Sequence, residues 1–119
     1  MKVMTDELND ICLDWCVFTL LDDDLHPEDF KLARHGHRGT YKPQGNYSSD
    51  PAEGWPVIDR ADIDVVKVSD GYLATLDLNE GDAMVEQRNG PTRLVAGLRC
   101  FVASHLGNEV DVPDELIAA

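Results

Sequence analysis

Apolar and polar positions follow three successive rhythms along this chain of 119 residues. In the first, Leu8, Ile11, Cys12, Trp15, Cys16 and Thr19 recur at helical spacing behind Thr5, an N-cap residue type, with Asp6 and Glu7 in the dipole-favoured first turn. This predicts a helix over about residues 6–21. Leu13, Val17, Leu20 and Leu21 fall outside the stripe, so the helix is either buried on most sides or offers half of a symmetric homodimer interface. Asp22, Asp23 and Asp24 oppose the dipole at its end and read as a stop, or as the start of the next element.

Periodicity then lapses. Pro27 with Glu28 and Asp29 behind it and Gly36 beyond allows a helix of about two turns. "GTYKPQGNYSSDPAEGW" after it is loop-like in composition, so residues 25–56 are read as an irregular region with a long central loop. Alternation of period two follows in "DIDVVKV", "YLATLDL" and "AMVEQR", separated by turns at Ser69-Asp70-Gly71 and at residues 79–82, a β-meander over about 57–88. Tyr72, Ala74, Leu76 and Leu78 share one face of its middle strand.

Helical spacing returns over about 92–106. Pro91 at the first position and Thr92 as cap are both compatible starts, and Gly107 is a good terminator. Leu94, Val95, Leu98, Phe101, Val102 and His105 form one face; Ala96, Gly97, Cys100, Ala103 and Ser104 form a second, small enough for another element to approach closely. Residues 108–119 read as an acidic tail. The expectation is one α+β domain over 1–119, its small antiparallel sheet of about three strands packed against the N- and C-terminal helices.

Charge changes the picture more than composition does. Against 23 acidic residues stand 10 basic ones, for a net charge of −13, a field that repels nucleic acid and anionic membrane and favours basic partners or simple solubility. Asp6, Glu7 and Asp10 replace the basic region of a secretory signal, and the near-apolar run 15–21 is too short to span a bilayer, so a cytoplasmic location is expected. Cys12, Cys16 and Cys100 all sit in helix-patterned segments without a CxxC, which suits reduced core thiols.

Three segments, "MKVMTDELNDICLDW", "YSSDPAEGWPVIDR" and "GPTRLVAGLRCFVASHLGNEVDVPDEL", resemble the NinX-like family of phage and prophage proteins, the first and last matching its two ends. Residues 25–39 depart from the pattern. The resemblance implies a small accessory protein made inside the host cell, and it brings no catalytic residues.

Candidate chemistry is sparse. His35 and His37 have H-x-H spacing, but Arg34 and Arg38 oppose a dication and no acid or cysteine lies within ten residues on the C-terminal side, so no metal is expected. None of the cysteines has a neighbour that would activate it as a nucleophile. The acidic clusters lie at turns and termini, and no phosphate-binding, dinucleotide-binding or hydrolase motif occurs. The expectation is a non-enzymatic protein without cofactor that binds a host or phage protein, with inhibition of a host defence system as one such role. Its contact surface is placed on the loop bearing Arg38, Tyr41, Tyr47 and Trp55, or on an acidic face such as Asp22, Asp23 and Asp24. The runner-up is a small-ligand-binding or weakly catalytic protein with a pocket beneath that loop, drawing on His105, Arg99 and Tyr72; Arg99 is expected to pair with a carboxylate such as Asp111. A DNA mimic and a minor component of the phage particle are further readings.

Overall fold

The computed structural model describes residues 2–21, 46–77 and 85–114. Along them run β1 (Lys2–Met4), a 3₁₀ turn (Thr5–Glu7), α1 (Asp10–Leu21), α2 (Pro51–Arg60), β2 (Asp64–Val68), β3 (Gly71–Asp77), β4 (Val85–Gly90), α3 (Arg93–Leu106) and β5 (Glu109–Asp111). Two antiparallel sheets result, β1-β5 and β2-β3-β4. The fold is α+β, and the three-stranded meander is present.

The organising element is α3. Thr92 is extended and its hydroxyl accepts the Val95 N–H at 3.1 Å, so of the two starts the sequence allows, Thr92 is the cap. Gly107, at φ 84°, ends the helix while its N–H returns to the Ala103 carbonyl. Between them residues 94–103 are all buried, because α3 packs against the meander, α1, α2, the 3₁₀ turn and β5. The small-residue face does what its size allows: a Cβ on Gly97 would lie 2.5 Å from Ile58 Cδ1, so α2 sits directly on the α3 backbone. A Cβ on Gly90 would likewise meet the Ala96 nitrogen at 2.5 Å, which fixes the end of β4 against the first turns of α3. Leu8, Leu13, Ile58, Leu98 and Val102 are sealed in the same core, each contributing about 1.5–3 kcal/mol of burial.

In the meander, Val68 pairs with Gly71 and Ser69-Asp70 form a two-residue turn, as the sequence pattern predicts. Ala74 is buried, and Tyr72 and Leu76 pack against the core from the same face of β3. Leu78 and the turn at 79–82 lie outside the described residues, as does the short helix expected near Pro27.

Several boundaries differ from expectation. The first helix begins at Asp10, not near residue 6, because Thr5 is used otherwise: its N–H and hydroxyl both reach the Asn108 carbonyl, at 2.9 and 3.3 Å, which ties the 3₁₀ turn to the start of β5. The most buried positions of α1 include Leu13 and Val17, outside the expected stripe, while Ile11, Cys12, Trp15 and Thr19 are half-buried. Apolar residues surround this helix so evenly that periodicity selects no face, and the second half of α1 is largely core. Residues 51–60, expected as loop and the start of the meander, are helical. Asp50 caps α2 by accepting the Ala52 N–H at 3.0 Å, with Pro51 in the first turn. The acidic tail contains β5, whose Val110 is buried opposite Val3.

Candidate functional site

Of the aromatic loop that the sequence singles out, Tyr47 is sealed into the core. Tyr47 is only 2% exposed. The turn that carries it is clamped from two sides: Ser48 donates its N–H to Asp14 Oδ1 at 2.7 Å, and Asn46 donates its N–H to Glu53 Oε2 at 3.1 Å. Gly54 makes the close fit possible, since a Cβ there would collide with the Tyr47 carbonyl oxygen. Burial, with Glu53 and Asp14 nearby, raises the Tyr47 phenol well above its ordinary pKa. Trp55 is half-buried against the core. Arg38, Tyr41, Asp22, Asp23 and Asp24 lie outside the described residues, together with His35 and His37.

The pocket residues suggested by the sequence do not converge. Arg99 is buried, and its guanidinium donates to the Leu8 carbonyl at 2.8 Å, the Asn89 carbonyl at 2.9 Å and Asn9 Oδ1 at 3.0 Å. These acceptors, not Asp111, are its hydrogen-bond partners. Desolvation lowers its pKa and the Asp6 carboxylate opposes that shift. Tyr72 lies under the Arg93 guanidinium, 5.1 Å from ring centroid to Cζ. His105 is exposed, its ring edge-on to Phe101 at 4.9 Å. The three belong to separate environments.

A second arginine, missed by sequence reasoning, makes a polar cluster of its own. Arg88 pairs with Asp6 at 2.9 Å and Glu86 at 2.8 Å and donates to Asn108 Oδ1 at 2.6 Å, joining the 3₁₀ turn, β4 and the entry to β5. Two of the three thiols, Cys16 and Cys100, are buried. Burial pushes Cys16 up to about 12, helped by Cys12, and pushes Cys100 up to about 11, helped by Glu86. Thiols so poised are protonated near neutral pH and are poor nucleophiles. Among the described residues, no group of three or more His, Cys, Asp or Glu side chains could hold a metal ion, and no helix is long and apolar enough to cross a membrane.

What the fold does build is a groove. It lies between the C-terminal half of α1, the end of α3 and β5, has a volume of about 410 Å³, and is lined by Trp15, Thr19, Leu20, Leu106, Glu109, Val110 and Asp111. Its surface is mainly apolar. Thr19 directs its hydroxyl to its own helix, to the Cys16 carbonyl at 3.0 Å, and Leu106 keeps 44% of its surface exposed. The Trp15 indole N–H is buried without an acceptor among the described residues. Glu109 and Asp111 are exposed acids in its lining, and Lys2, opposite Asp111 on β1, pairs with Glu109 at 3.8 Å. The hint available in the sequence was Leu20, one of the apolar residues outside the α1 stripe; the opposite wall was concealed because β5 reads as a tail.

Residues 4–105 match the family model described as Bacteriophage P22, NinX. No curated protein matches the chain. The match takes in the meander, α2 and nearly all of α3; Leu106 and the β5 wall of the groove lie beyond it.

Proposed function

The chain belongs to the bacteriophage P22 NinX family and is on that ground a phage accessory protein; we propose that it acts in the host cytoplasm, without catalysis, by binding a host or phage protein whose apolar side chains seat in the α1–α3–β5 groove. The observation that carries this reading is the groove itself: an open apolar surface containing a tryptophan and a half-exposed leucine, with Glu109 and Asp111 at its edge. Tryptophan is enriched among residues that dominate binding energy, and an acidic margin on a chain of charge −13 favours a partner segment with Lys or Arg beside its apolar residues. Occupying a host protein in this way would block its function, a host defence system being one such target.

The test compares the wild type with Leu106→Glu, which places a charge in the groove at a solvent-exposed position and so spares the core. Both are used to capture proteins from host lysate at rising salt, with the bound proteins identified by mass spectrometry. One stoichiometric partner held by the wild type and lost with Leu106→Glu supports the reading. Equal capture by both, or none by the wild type, sinks it.

A second reading rests on volume. At about 410 Å³ the groove falls within the range of about 300–1,000 Å³ typical of small-ligand sites. It would then hold an apolar cation against Trp15 and the two acids, in a different place from the pocket sought beneath Tyr47. Native mass spectrometry of protein purified from host cells distinguishes the two: a retained small molecule favours the ligand, and a bare chain favours the protein partner.

A further inference from the structure

The groove runs along the edge of a strand. Successive side chains of a strand point to opposite faces, so a cleft over one face touches alternate residues only. Here three consecutive residues, Glu109, Val110 and Asp111, all border the groove, and together they make up β5. The cleft therefore lies beside β5, not above or below it. Trp15, Thr19 and Leu20 of α1 form the facing wall, with Trp15 and Thr19 one helical turn apart. A strand edge that faces a helix across an open apolar slot is the geometry by which peptides are added to sheets.

Register identifies the backbone groups that face the slot. β5 pairs with β1 as Lys2–Asp111, Val3–Val110 and Met4–Glu109, and beyond them the Thr5 N–H is donated to the Asn108 carbonyl at 2.9 Å. In an antiparallel pair the backbone groups turn to the partner strand at every second residue. On β5 those residues are Asn108 and Val110, so the N–H and C=O of Glu109 are directed away from β1, towards the slot. Among the described residues, β1 is the one strand paired with β5.

We propose that the occupant of the groove is an extended segment of the partner that adds to β5 as a third strand and bonds to the Glu109 backbone. This rests on the groove being a docking surface for a protein. The same register gives the side-chain pattern of the added strand. One face of the β1–β5 sheet carries Val3 and Val110 and turns to the core; the other carries Lys2, Met4, Glu109 and Asp111 and is exposed. A third strand continues both faces. Its alternate residues meet Val110, Trp15 and Leu20 and must be apolar. Those between lie beside Glu109 and Asp111, two carboxylates that the Lys2 ammonium only half offsets, and this favours Lys or Arg. An amphipathic helix cannot use the Glu109 backbone, because its own N–H and C=O groups are bonded within the helix.

The probe is an end-blocked peptide of about six residues, a common strand length, alternating valine and lysine. An isomer with the valines and lysines in two blocks has the same charge and composition and is the control. On the full chain at about 0.15 M salt, the alternating peptide should shift the amide resonances of β5 and slow hydrogen exchange at Glu109, and the block isomer should do neither. N-methylating one alternate set of the peptide's amides should weaken binding about tenfold, while the other set tolerates it. Glu109→Pro removes the N–H that faces the slot and should cost a similar factor, whereas Glu109→Gln keeps that N–H and the protection. If Glu109→Pro fails to fold, the methylated peptides decide. No binding, equal binding of the two isomers, an unprotected Glu109 amide or equal tolerance of both methylation patterns overturns the added strand. Capture from lysate separates this from the groove reading: a partner lost with Leu106→Glu but held by Glu109→Pro keeps the groove and removes the strand, and one indifferent to Leu106→Glu removes both.

Discussion

Arg99 shows how a single side chain organises this molecule. It brings a cation into the core and uses its fork of donors to hold the Leu8 carbonyl, Asn9 and the Asn89 carbonyl, so the entrance to α1 and the end of β4 are registered on α3. Lysine, with its donors on one nitrogen, cannot span three acceptors in that arrangement. Arg99→Lys should lower stability by about 2–3 kcal/mol, seen as a lower urea midpoint with unchanged slope. The thiols give a pH-dependent counterpart. Cys16 and Cys100 have folded pKa values raised from an ordinary 9.0 to about 12 and about 11. Below pH 9 both states hold these protons and the stability is fully present. Between 9 and the raised values only the unfolded chain releases them, so stability falls as pH rises. Urea unfolding should weaken from pH 8.5 to 10.5 in the wild type and less steeply in Cys16→Ala; identical slopes would remove the thiol as the cause. That these cysteines are core residues was readable from their helical spacing. Arg99's role was not, because its three acceptors come from other segments and two of them are backbone carbonyls that no residue type announces.

Among the elements, those with strong local signals were legible. The final helix has a capping threonine, an apolar stripe and a terminal glycine, and the hairpin has its Ser-Asp turn, so both lie close to where the pattern puts them. α2 was hidden by Gly54 and Pro56, two residues that oppose helix intrinsically, although Asp50, Pro51 and Glu53 form a helix start. Gly54 also provides the sharpest test of why this helix exists. On propensity alone Gly54→Ala should stabilise by up to about 1 kcal/mol. Packing predicts the reverse, because the added Cβ strikes the Tyr47 backbone and approaches Leu94 Cδ2 at 2.8 Å. A loss of about 1–3 kcal/mol and a lower melting temperature are expected; a rise would show that the turn at Tyr47 moves aside freely. β1 and β5 escaped notice for another reason. Each has three residues, too few for alternation to register, and each is defined by its partner across the whole chain.

For the whole molecule, the family could be recognised from three segments, whereas the groove could not. Its walls come from residues 15–20 and 106–111, and nothing in either segment points to the other. The pairing that brings them together has a consequence in time. Thr5 and Asn108, joined through the backbone, are 103 positions apart. While the chain is being translated, the strand at Val3 has no mate, and one wall of the groove does not exist until the residues of β5 have been made. A partner that recognises the groove therefore recognises only protein synthesised past Asp111. A cut just after Leu106 would leave the central helix in place yet remove the β5 wall of the groove.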